Sequence, residues 1–418
     1  MRVVIAGQGY VGLPLAVRAA EVGYDVVGYD VDTVRVGRLT RGESYVEDIS
    51  AERLGAVLAA GSYKPSIDPA DCAGFDIAVI TVPTPLRDGA PDLSFVEACT
   101  ELLAGHLRPG ATVVLESTTY PGTTEEIVQP ILEKVSGLVA GADFALGFSP
   151  ERIDPGNPTW NVINTPKIVS GVDETSLKRV KEFYDTIVET TVTVSSTREA
   201  ELAKLIENTF RHVNIALVNE IAMISNDLGI DVWQAIDAAS TKPFGFMRFT
   251  PGPGVGGHCL PIDPSYLSWR VQRALGQSFR FVDLANDINN HMPDYVVRRL
   301  IDALNRRQRS VSGSRILLLG LAYKKNTGDA RESPAVRVVH LLRQMGAEVR
   351  VADPHVVEAV HGAPDLTMVT LTAEELRSAD AVVLLADHDA FDYDLIGREA
   401  RCLRDTRRRL HGDAVEVI

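Results

Sequence analysis

The first thirty residues restrict the fold of this chain more than any other stretch. A β-branched run, Arg2–Ala6, leads into Gly7-Gln-Gly-Tyr-Val-Gly12, an alanine-rich helical stretch follows at residues 13–22, and residues 24–30 form a second predicted strand ending in Asp30. Asp30 lies 18 residues after Gly12. Strand, G-x-G-x-x-G turn, helix and a strand ending in an acid are the parts of a dinucleotide-binding βαβ unit. The sequence therefore predicts a Rossmann domain at its start.

Each part of this unit has a use in binding a dinucleotide. Gly7 permits the tight turn, Gly9 lets a pyrophosphate approach the backbone, and Gly12 allows the helix to pack closely on the strand. The helix N-terminus faces the phosphates. Asp30 would accept hydrogen bonds from the adenosine ribose and repel a 2′-phosphate, which favours NAD over NADP. A glycine turn without a ligand would explain neither the strand before it nor Asp30 after it.

The alternation of strands and helices continues beyond this unit. Further strands are predicted at residues 76–82, 111–115 and 142–148. Ligands of open parallel sheets bind beyond the carboxyl ends of strands, and Thr84, Thr118 and Glu151 follow these three strands. Each one alone is most simply a polar cap of its strand. Three of them beside a dinucleotide fingerprint favour a pocket.

A long helix is predicted at residues 197–228. Apolar residues recur in it at helical spacing, namely Ala200, Ala203, Ile206, Phe210, Val213, Leu217 and Ile221. Lys204 and Asn208 are four residues apart and share a face of the helix. Spacing alone is most typical of a solvated lysine, whereas a partly buried Lys204 would hold an amine that is useful for chemistry. Further helical segments are predicted at residues 231–239 and 282–304.

A glycine-rich loop with a single cysteine lies between these last two helical segments. Its sequence is Pro251-Gly-Pro-Gly-Val-Gly-Gly-His-Cys-Leu-Pro-Ile-Asp263. Four glycines in seven positions indicate a backbone that turns sharply or lies against a ligand. Cys259 precedes a helical run at residues 264–275. Because a helix N-terminus favours the thiolate, Cys259 is a candidate nucleophile. A tight turn with a buried cysteine is the alternative interpretation.

The last part of the chain begins a second α/β unit. Residues 310–314 form a polar linker, and Arg315-Ile-Leu-Leu-Leu-Gly320 is a strand followed by a loop from Tyr323 to Pro334 that is rich in phosphate-binding donors. A helix at residues 335–345 and strands at residues 348–353 and 381–386 continue the pattern. The glycine fingerprint is not repeated, so this domain is predicted to bind something other than a dinucleotide. The basic run at residues 401–409 is most simply a solvated helix face.

Composition excludes several classes of function. The net charge of −14 over 418 residues argues against nucleic acid as the main partner. The four cysteines, Cys72, Cys99, Cys259 and Cys402, have neither C-x-x-C nor metal-ligand spacing, so no metal is expected and a reduced, cytoplasmic protein is predicted. Met1 leads directly into an apolar strand with no basic n-region or cleavage site, so no signal peptide is expected. No apolar run approaches the ~18 residues that a membrane span needs.

Taken together, these motifs resemble the UDP-glucose/GDP-mannose dehydrogenase family over almost the whole chain. They occur in the family's order: Gly7-x-Gly-Tyr-Val-Gly12, Val82-Pro-Thr-Pro85, Phe148-Ser-Pro-Glu151, Glu201-Leu-Ala-Lys-Leu-Ile-Glu-Asn208, Gly254-Val-Gly-Gly-His-Cys259 and the segment from Tyr323 to Pro334. The resemblance implies an α/β fold with two Rossmann-like doubly wound parallel-sheet domains joined by a central long-helix dimerisation region. Three domains are expected: an NAD-binding domain at residues 1–195, a central helical domain at residues 196–305 and a UDP-sugar-binding domain at residues 310–418. The chain is expected to form a homodimer or a higher homo-oligomer.

The family oxidises the C6 alcohol of a nucleotide-linked hexose to a carboxylate with two NAD. The resemblance implies these catalytic residues: Cys259 as nucleophile, Lys204 stabilising oxyanions, Asn208 assisting it, Asp263 orienting or activating water, and Thr118 and Glu151 completing the water and proton network. The residues expected to contact NAD are Gly7, Gly9, Tyr10, Val11, Gly12, Asp30, Arg35, Thr84, Thr118 and Arg331. Those expected to contact the UDP-sugar are Glu151, Arg152, Lys204, Asn208, Phe249, Gly252, Gly254, Gly256, Tyr323 and Lys324.

One departure from the family pattern bears on the substrate. UDP-glucose dehydrogenases typically carry a second glutamate four residues after Ser-Pro-Glu, and here that position is Pro155. Together with Lys242-Pro-Phe-Gly-Phe246, this form resembles the UDP-N-acetylglucosamine 6-dehydrogenase branch, so UDP-N-acetylglucosamine or UDP-glucose is expected. Two other classes stay open: a two-electron NAD dehydrogenase of the hydroxyacid type, which needs no cysteine, and a non-catalytic nucleotide-binding regulatory protein.

Overall fold

The chain folds into two compact α/β units. The computed structural model describes all residues except Glu47, Asp88, Pro155, Gly156, Pro158, His258, Cys259, residues 357–364, Asp413, Ala414 and Ile418. The first unit comprises Met1–Glu207 with Ser265–Ala274, and the second comprises Asn208–Pro264 with Leu275–Ile418. None of the described helices is long and apolar enough to cross a membrane.

The first unit is built on an eight-stranded sheet with a separate two-stranded hairpin. In chain order its strands are β1 (Arg2–Ala6), β2 (Asp25–Tyr29), β3 (Tyr63–Ser66), β4 (Ile77–Ile80), β5 (Leu86–Arg87), β6 (Ala90–Pro91), β7 (Thr112–Leu115), β8 (Ala145–Phe148), β9 (Lys167–Gly171) and β10 (Thr191–Thr193). The sheet order is β10-β9-β8-β7-β4-β1-β2-β3, and β5 pairs with β6. Neighbours in the large sheet are parallel except β8 and β9, which run antiparallel.

Helices cover both faces of this sheet. They are α1 (Gly12–Glu21), α2 (Thr33–Thr40), α3 (Ala51–Ala59), α4 (Ser94–Ala104), α5 (Gln129–Ser136) and α6 (Glu174–Ile187), with a 3₁₀ turn at Pro69–Cys72 and a π turn at Thr124–Val128. Val3 and Ile5 of β1 belong to one apolar cluster, and Val4 and Ala6 belong to another. Because successive strand residues point to opposite faces, these two clusters are the two cores of a doubly wound sheet.

The predicted long helix is present as α7 (Thr197–Asp227), which ends within one residue of its predicted limit. The boundary between the two units falls within it, after Glu207. Three further helices follow it in the chain, α8 (Val232–Ala239), α9 (Asp263–Leu275) and α10 (Arg280–Arg306).

The second unit contains a six-stranded sheet whose paired strands are all parallel. Its strands are β11 (Arg315–Leu319), β12 (Glu348–Ala352), β13 (Thr367–Met368), β14 (Ala381–Leu384), β15 (Leu403–Asp405) and β16 (Val415–Val417), in the order β13-β12-β11-β14-β15-β16. The helices are α11 (Pro334–Gln344), α12 (Ala373–Ser378) and α13 (Tyr393–Glu399). Ile316 and Leu318 join one core while Leu317 and Leu319 join the other. The prediction of two Rossmann-like domains is confirmed.

The prediction for the basic run at residues 401–409 was wrong. The run is not a solvated helix face, because its centre is strand β15 and Arg404 is buried in the sheet. The Arg404 guanidinium lies 2.7 Å from the Glu416 carboxylate on the neighbouring strand and donates to the backbone oxygen of Arg299. The carboxylate and the carbonyl each engage one Nη group of the buried guanidinium, whereas its buried Nε has no hydrogen-bond partner among the described residues.

The second and third glycines of the first turn, Gly9 and Gly12, predict contrasting stability effects. A Cβ added at Gly12 would overlap the Gly7 carbonyl oxygen, whereas one added at Gly9 has no heavy atom of the described residues within 4 Å. We expect Gly12→Ala to lower the free energy of unfolding by about 1–3 kcal/mol or more. Gly9→Ala, the matched control, should leave it unchanged. Urea unfolding of both variants measures this, and equal stability of the two would contradict the packing role of Gly12.

Candidate active site

Of the three glycines in the turn after β1, only Gly9 leaves room for a ligand. Gly7 has φ +96°, and a Cβ there would lie 2.6 Å from the carbonyl oxygen of Thr81. Gly12 is closed by the Gly7 carbonyl, and Gly9 faces open space. Helix α1 begins immediately after, and its N-cap, Val11, supplies no side-chain hydrogen bond to the first N–H groups. The turn therefore fits a pyrophosphate over Gly9 at the helix N-terminus.

Asp30 is held in a fixed orientation at the carboxyl end of β2. Its Oδ2 accepts hydrogen bonds from the Gln8 N–H at 2.7 Å and from Arg35 Nη1 at 2.8 Å, and its Oδ1 accepts one from the Asp32 N–H at 2.9 Å. Arg35 is thus an ion-pair partner of Asp30, which the sequence did not indicate. Tyr10 and Val11 lie partly buried beside this turn. These contacts hold the Asp30 carboxylate at the place where the ribose of a dinucleotide binds in this fold.

Thr84 and Thr118 meet at the ends of β4 and β7. The Thr84 hydroxyl is buried and donates to the backbone oxygen of Thr118 at 2.9 Å, and the Tyr266 hydroxyl donates to the backbone oxygen of Thr84. Thr118 is partly exposed. The structure therefore brings both predicted residues to one edge of the sheet, with the Thr84 hydroxyl engaged in joining the two loops.

Lys204 is buried, so the interpretation as a solvated helix lysine is wrong. Its side chain on α7 is 7% exposed, and Nζ donates to the backbone oxygen of Glu151. The Glu151 carboxylate accepts the backbone N–H groups of Arg152 at 2.6 Å and Ile153 at 2.5 Å. A turn closed by the glutamate's own side chain therefore presents its carbonyl to the ammonium of Lys204.

A second lysine lies on the other side of Glu151. Lys167, the first residue of β9, is 3.1 Å from Glu151 Oε2 and also donates to the Glu116 carboxylate. Tyr184 donates to the other oxygen of Glu116 at 2.6 Å. Burial raises the pKa of Glu116, and Lys167 only partly offsets this. Burial also acts to raise the pKa of Glu151, but Lys167, the Glu116 side chain, the backbone N–H of Ile153 and Lys204 outweigh it and hold that pKa below its usual range.

Arg152, expected at the substrate, is engaged within the first unit. Its guanidinium lies 2.6 Å from the Glu207 carboxylate on α7 and 2.6 Å from the backbone oxygen of Pro166. These contacts fasten the segment after Glu151 to the helix. Pro155, which carries the departure from the UDP-glucose dehydrogenase pattern, lies outside the described residues.

Asn208 and Asp263 are brought together in the second unit. Asn208 Nδ2 donates to Asp263 Oδ2 at 2.6 Å, and both side chains are buried. Asp263 is the first residue of α9, where a carboxylate is stabilised by the helix dipole. Cys259, four residues earlier, lies outside the described residues, so its predicted role is untested by this geometry.

The glycine loop lies against the segment that begins at Tyr323. A Cβ added at Gly256 or Gly257 would lie 2.7 or 2.8 Å from the Tyr323 side chain, and one at Gly254, whose φ is +129°, would be 3.0 Å from the backbone oxygen of Asn289. The Gly257 N–H donates to the backbone oxygen of Arg331 at 3.0 Å. Larger residues at these positions would push the two segments apart, which explains the run of glycines.

A buried polar chain that the sequence did not reveal supports this loop. Asn219 on α7 accepts the Gly252 N–H at 2.9 Å and donates to Asn289 on α10 at 3.0 Å. Asn289 in turn donates to the backbone oxygen of His212 at 3.3 Å, and His212 Nε2 lies 2.8 Å from Asn286 Oδ1. Burial lowers the pKa of His212, although the Asn286 contact opposes this. Helical spacing of the asparagines was the available signal, but solvent-facing asparagines give the same spacing.

A cleft lined by three arginines opens beside the same loop, and two of them, Arg248 and Arg408, pair with Asp237 at 2.8 and 2.7 Å. Its volume is about 510 Å³, within the range of small-molecule sites, and it is lined by Trp233, Arg248, Thr250, Asp387, Arg407, Arg408 and His411. The Arg407 guanidinium reaches the loop itself, since a Cβ added at Gly252 would be 2.6 Å from it. Phe249 packs edge-on against Phe210 at 5.8 Å. Guanidinium groups in such a cleft suit a diphosphate, whose oxygens they bind in pairs.

The second unit also has an acid directly after its second strand, Asp353 at the end of β12. Asp353 Oδ2 accepts the N–H groups of Leu321 at 2.7 Å and Ala322 at 3.0 Å, and lies 3.0 Å from His388 Nε2. Burial acts to raise the pKa of Asp353, yet the His388 contact and the backbone N–H groups hold it well below its usual range. Its carboxylate is therefore held by protein groups, as that of Asp30 is in the first unit.

Comparison with known proteins gives the same family for three consecutive parts of the chain. Residues 1–188 match the NAD binding domain of the UDP-glucose/GDP-mannose dehydrogenase family, residues 198–291 match its central domain, and residues 317–412 match its UDP binding domain.

Relatives with named activities agree with these matches. A UDP-N-acetyl-D-mannosamine dehydrogenase of Pyrococcus horikoshii is 36% identical over 405 residues, which are 96% of this chain and 93% of the relative. A UDP-N-acetyl-D-glucosamine 6-dehydrogenase of Pseudomonas aeruginosa is 36% identical over 395 residues, covering 94% and 91%. The solved structure of UDP-D-ManNAc dehydrogenase from Pyrococcus horikoshii has a TM-score of 0.91 at 34% identity, covering 100% of this chain and 99% of that one. This chain belongs to the UDP-glucose/GDP-mannose dehydrogenase family and is an NAD-dependent oxidoreductase.

Proposed function

We propose that the chain oxidises the C6 hydroxyl of a UDP-linked N-acetylhexosamine to a carboxylate. The observation that carries the proposal is the buried pairing of Asn208 with Asp263, four residues after the candidate nucleophile Cys259. Relatives named for the manno and gluco N-acetyl sugars are equally similar to this chain, which supports an N-acetylhexosamine substrate of either configuration. A location in the cytoplasm is part of the proposal, supported by the free thiols of Cys72, Cys99 and Cys402.

The need for a thiol follows from oxidising one carbon twice. NAD, when bound, would supply the hydride acceptor for both oxidations. The first oxidation gives an aldehyde, to which the Cys259 thiolate adds to form a thiohemiacetal. Oxidation of that adduct leaves a thioester, and water hydrolyses it to the carboxylate and the free thiol. A two-electron hydroxyacid dehydrogenase would stop after the first oxidation and would leave Cys259 without a role.

The other side chains handle charge and protons. A buried ammonium at Lys204 stabilises the alkoxide and the tetrahedral anions, because little water screens it. Asn208 holds the Asp263 carboxylate, which takes protons from the attacking water. Thr118 and Glu151 complete the network, with Glu151 also fixing Lys204 through its carbonyl.

For NAD we propose contacts from the first unit at the glycine turn, Asp30, Arg35, Thr84 and Thr118. The open space at Gly9 supports this placement. Arg331 is proposed as a further contact, and its guanidinium lies 2.7 Å from Asp329 within its own loop. The organisation proposed with it is an NAD domain at 1–195, a central helical domain at 196–305 and a UDP-sugar domain at 310–418.

For the UDP-sugar we propose the glycine loop, Phe249, Tyr323 and Lys324 as binding groups, and we add Arg248 and Arg407. The arginines line the cleft next to Gly252, where they would neutralise the diphosphate. Glu151, Arg152, Lys204 and Asn208 complete the proposed substrate contacts.

A homodimer is part of the proposal, with α7 in the interface. Phe210, Leu217, Ile221, Ile224 and Leu228 recur at helical spacing and are between 41% and 68% exposed. An apolar stripe of this length on a helix is typical of a surface covered by a partner. A second copy of this chain is the partner we propose, because one helix face presented by each copy is self-complementary about a two-fold axis.

Replacing Cys259 by alanine should abolish formation of the uronate from UDP-N-acetylglucosamine and UDP-N-acetylmannosamine. NAD should bind as before, because the thiol is needed only after the aldehyde stage. Mass spectrometry of the products and calorimetric titration of NAD measure the two effects. Cys402→Ala, which changes a buried thiol of the second unit, is the control and should retain uronate formation. Normal acid production by the Cys259 variant would contradict the covalent scheme.

Charges placed on the α7 stripe should separate the dimer. We expect the wild-type chain to sediment as a dimer at micromolar concentration, and the Leu217→Glu, Ile221→Glu double variant to sediment as a folded monomer. Analytical ultracentrifugation with circular dichroism measures both properties. Val139→Glu changes an exposed apolar residue away from α7 and should leave the dimer intact. A monomeric wild type, or a variant that stays dimeric, would contradict the interface.

A further inference from the structure

Beyond the residues assigned above, the structure points to a positioning role for a buried lysine–glutamate pair. We propose that Lys167, balanced by Glu116, keeps Glu151 ionised and so fixes the carbonyl that holds the ammonium of Lys204. The inference rests on the proposed function, in which Glu151 and Lys204 serve the oxidation.

The sheet topology explains why these residues meet. Glu116 directly follows β7 and Glu151 follows β8, so both lie at the carboxyl edge of the parallel strands. Strand β9 runs antiparallel to β8, with Phe148 opposite Ser170 and Gly147 opposite Gly171. Its first residue, Lys167, is therefore brought to the same edge. A parallel β9 would have placed the lysine at the opposite edge of the sheet.

The contacts form a continuous chain from Lys167 to Lys204. Lys167 Nζ lies between the Glu116 carboxylate and Glu151 Oε2. The other oxygen of Glu151 accepts the N–H groups of the two following residues, Arg152 and Ile153. That turn orients the Glu151 carbonyl toward Lys204 Nζ. Each oxygen of the carboxylate is thus engaged in a contact that a protonated acid would weaken or lose.

The cluster contains two buried carboxyl groups with different pKa values, since burial raises the pKa of Glu116 to about 7 while Lys167 and its other neighbours lower that of Glu151. Glu116 and Lys167 have side chains that are 0% and 8% exposed, and that of Glu151 is 12% exposed. Two carboxyl groups face two lysines, Lys167 from β9 and Lys204 from α7. Tyr184 of α6 donates to Glu116, and the Arg152 guanidinium is paired with Glu207 of α7. Removing Lys167 alone would leave two buried carboxylates facing each other, and one of them would take up a proton.

A purely structural role is the competing explanation, since the same contacts tie β7, β8 and β9 together. The two explanations differ in what a neutral replacement of the whole pair does. Replacing a buried ion pair by neutral groups of similar size is often close to neutral for stability, whereas removing one partner is costly. A neutral pair would therefore restore the fold without restoring control over the ionisation of Glu151.

The test compares Lys167→Met, Lys167→Arg and the double variant Glu116→Gln, Lys167→Met. Uronate formation from UDP-N-acetylglucosamine and UDP-N-acetylmannosamine is followed from about pH 5.5 to about pH 9, together with thermal unfolding. We expect Lys167→Met to lower kcat roughly tenfold or more and to move the acidic limb of kcat to higher pH, because the Glu151 carboxylate then protonates more readily. The KM for NAD should change by less than about twofold. Lys167→Arg keeps the charge and should recover part of kcat.

The double variant separates positioning from structure. It should unfold at nearly the wild-type temperature while its kcat stays low and its acidic limb stays displaced. The positioning role would be overturned if the double variant recovered both the wild-type kcat and the wild-type position of the acidic limb of its pH profile. An acidic limb that stays at the wild-type pH in Lys167→Met would overturn it as well. Lys64→Met removes an exposed lysine paired with Asp71 and should match the wild type in every measurement. Absence of uronate from both sugars with the wild-type chain would instead overturn the proposed function together with this inference.

Discussion

The burial of the Lys204 ammonium is the constraint on which the arrangement of this site depends. An unpaired ammonium in a protein interior loses hydration worth several kcal/mol, so the groups around it must replace water. The backbone oxygen of Glu151 supplies one acceptor, and the Glu151 carboxylate supplies the compensating charge. One turn earlier on the same helix, the buried Glu201 carboxylate accepts hydrogen bonds from the Gly122 and Thr124 N–H groups at 2.5 and 2.9 Å.

Glu201 anchors α7, the helix that carries Lys204, to the loop after β7. Burial raises the pKa of Glu201 to about 7, although the hydrogen bonds from Thr124 and Gly122 oppose the shift. The hydrogen bonds from Gly122 and Thr124 to the Glu201 side chain fix the position of α7 relative to the loop after β7. In the same helix, Asn208 holds Asp263 and Asn219 holds the glycine loop. Within the second unit, this helix therefore fixes a carboxylate at the start of α9 and supports the loop that precedes it.

Much of the fold could be predicted because it depends on local patterns. Alternating apolar strands, a glycine turn at a fixed spacing from Asp30 and a long apolar helix each leave a signature within one stretch of sequence. The motifs named both Asn208 and Asp263, and the structure pairs their side chains, while their roles stay predictions. What could not be predicted are contacts set by the sheet: Lys204 meets a carbonyl 53 residues away, and Lys167 meets Glu116 across 51 residues. An antiparallel β9 and a buried Arg404 likewise leave no local signal, because a lysine or arginine near apolar residues is also typical of a solvated surface.

The central claim is that these groups oxidise one carbon twice, and the electron count tests it most directly. A limiting amount of UDP-N-acetylglucosamine or UDP-N-acetylmannosamine is mixed with the wild-type chain and excess NAD, and NADH absorbance is followed to completion. The account predicts two NADH for each sugar consumed, with the uronate as the product. One NADH for each sugar, with an aldehyde or ketone as the product, would contradict it.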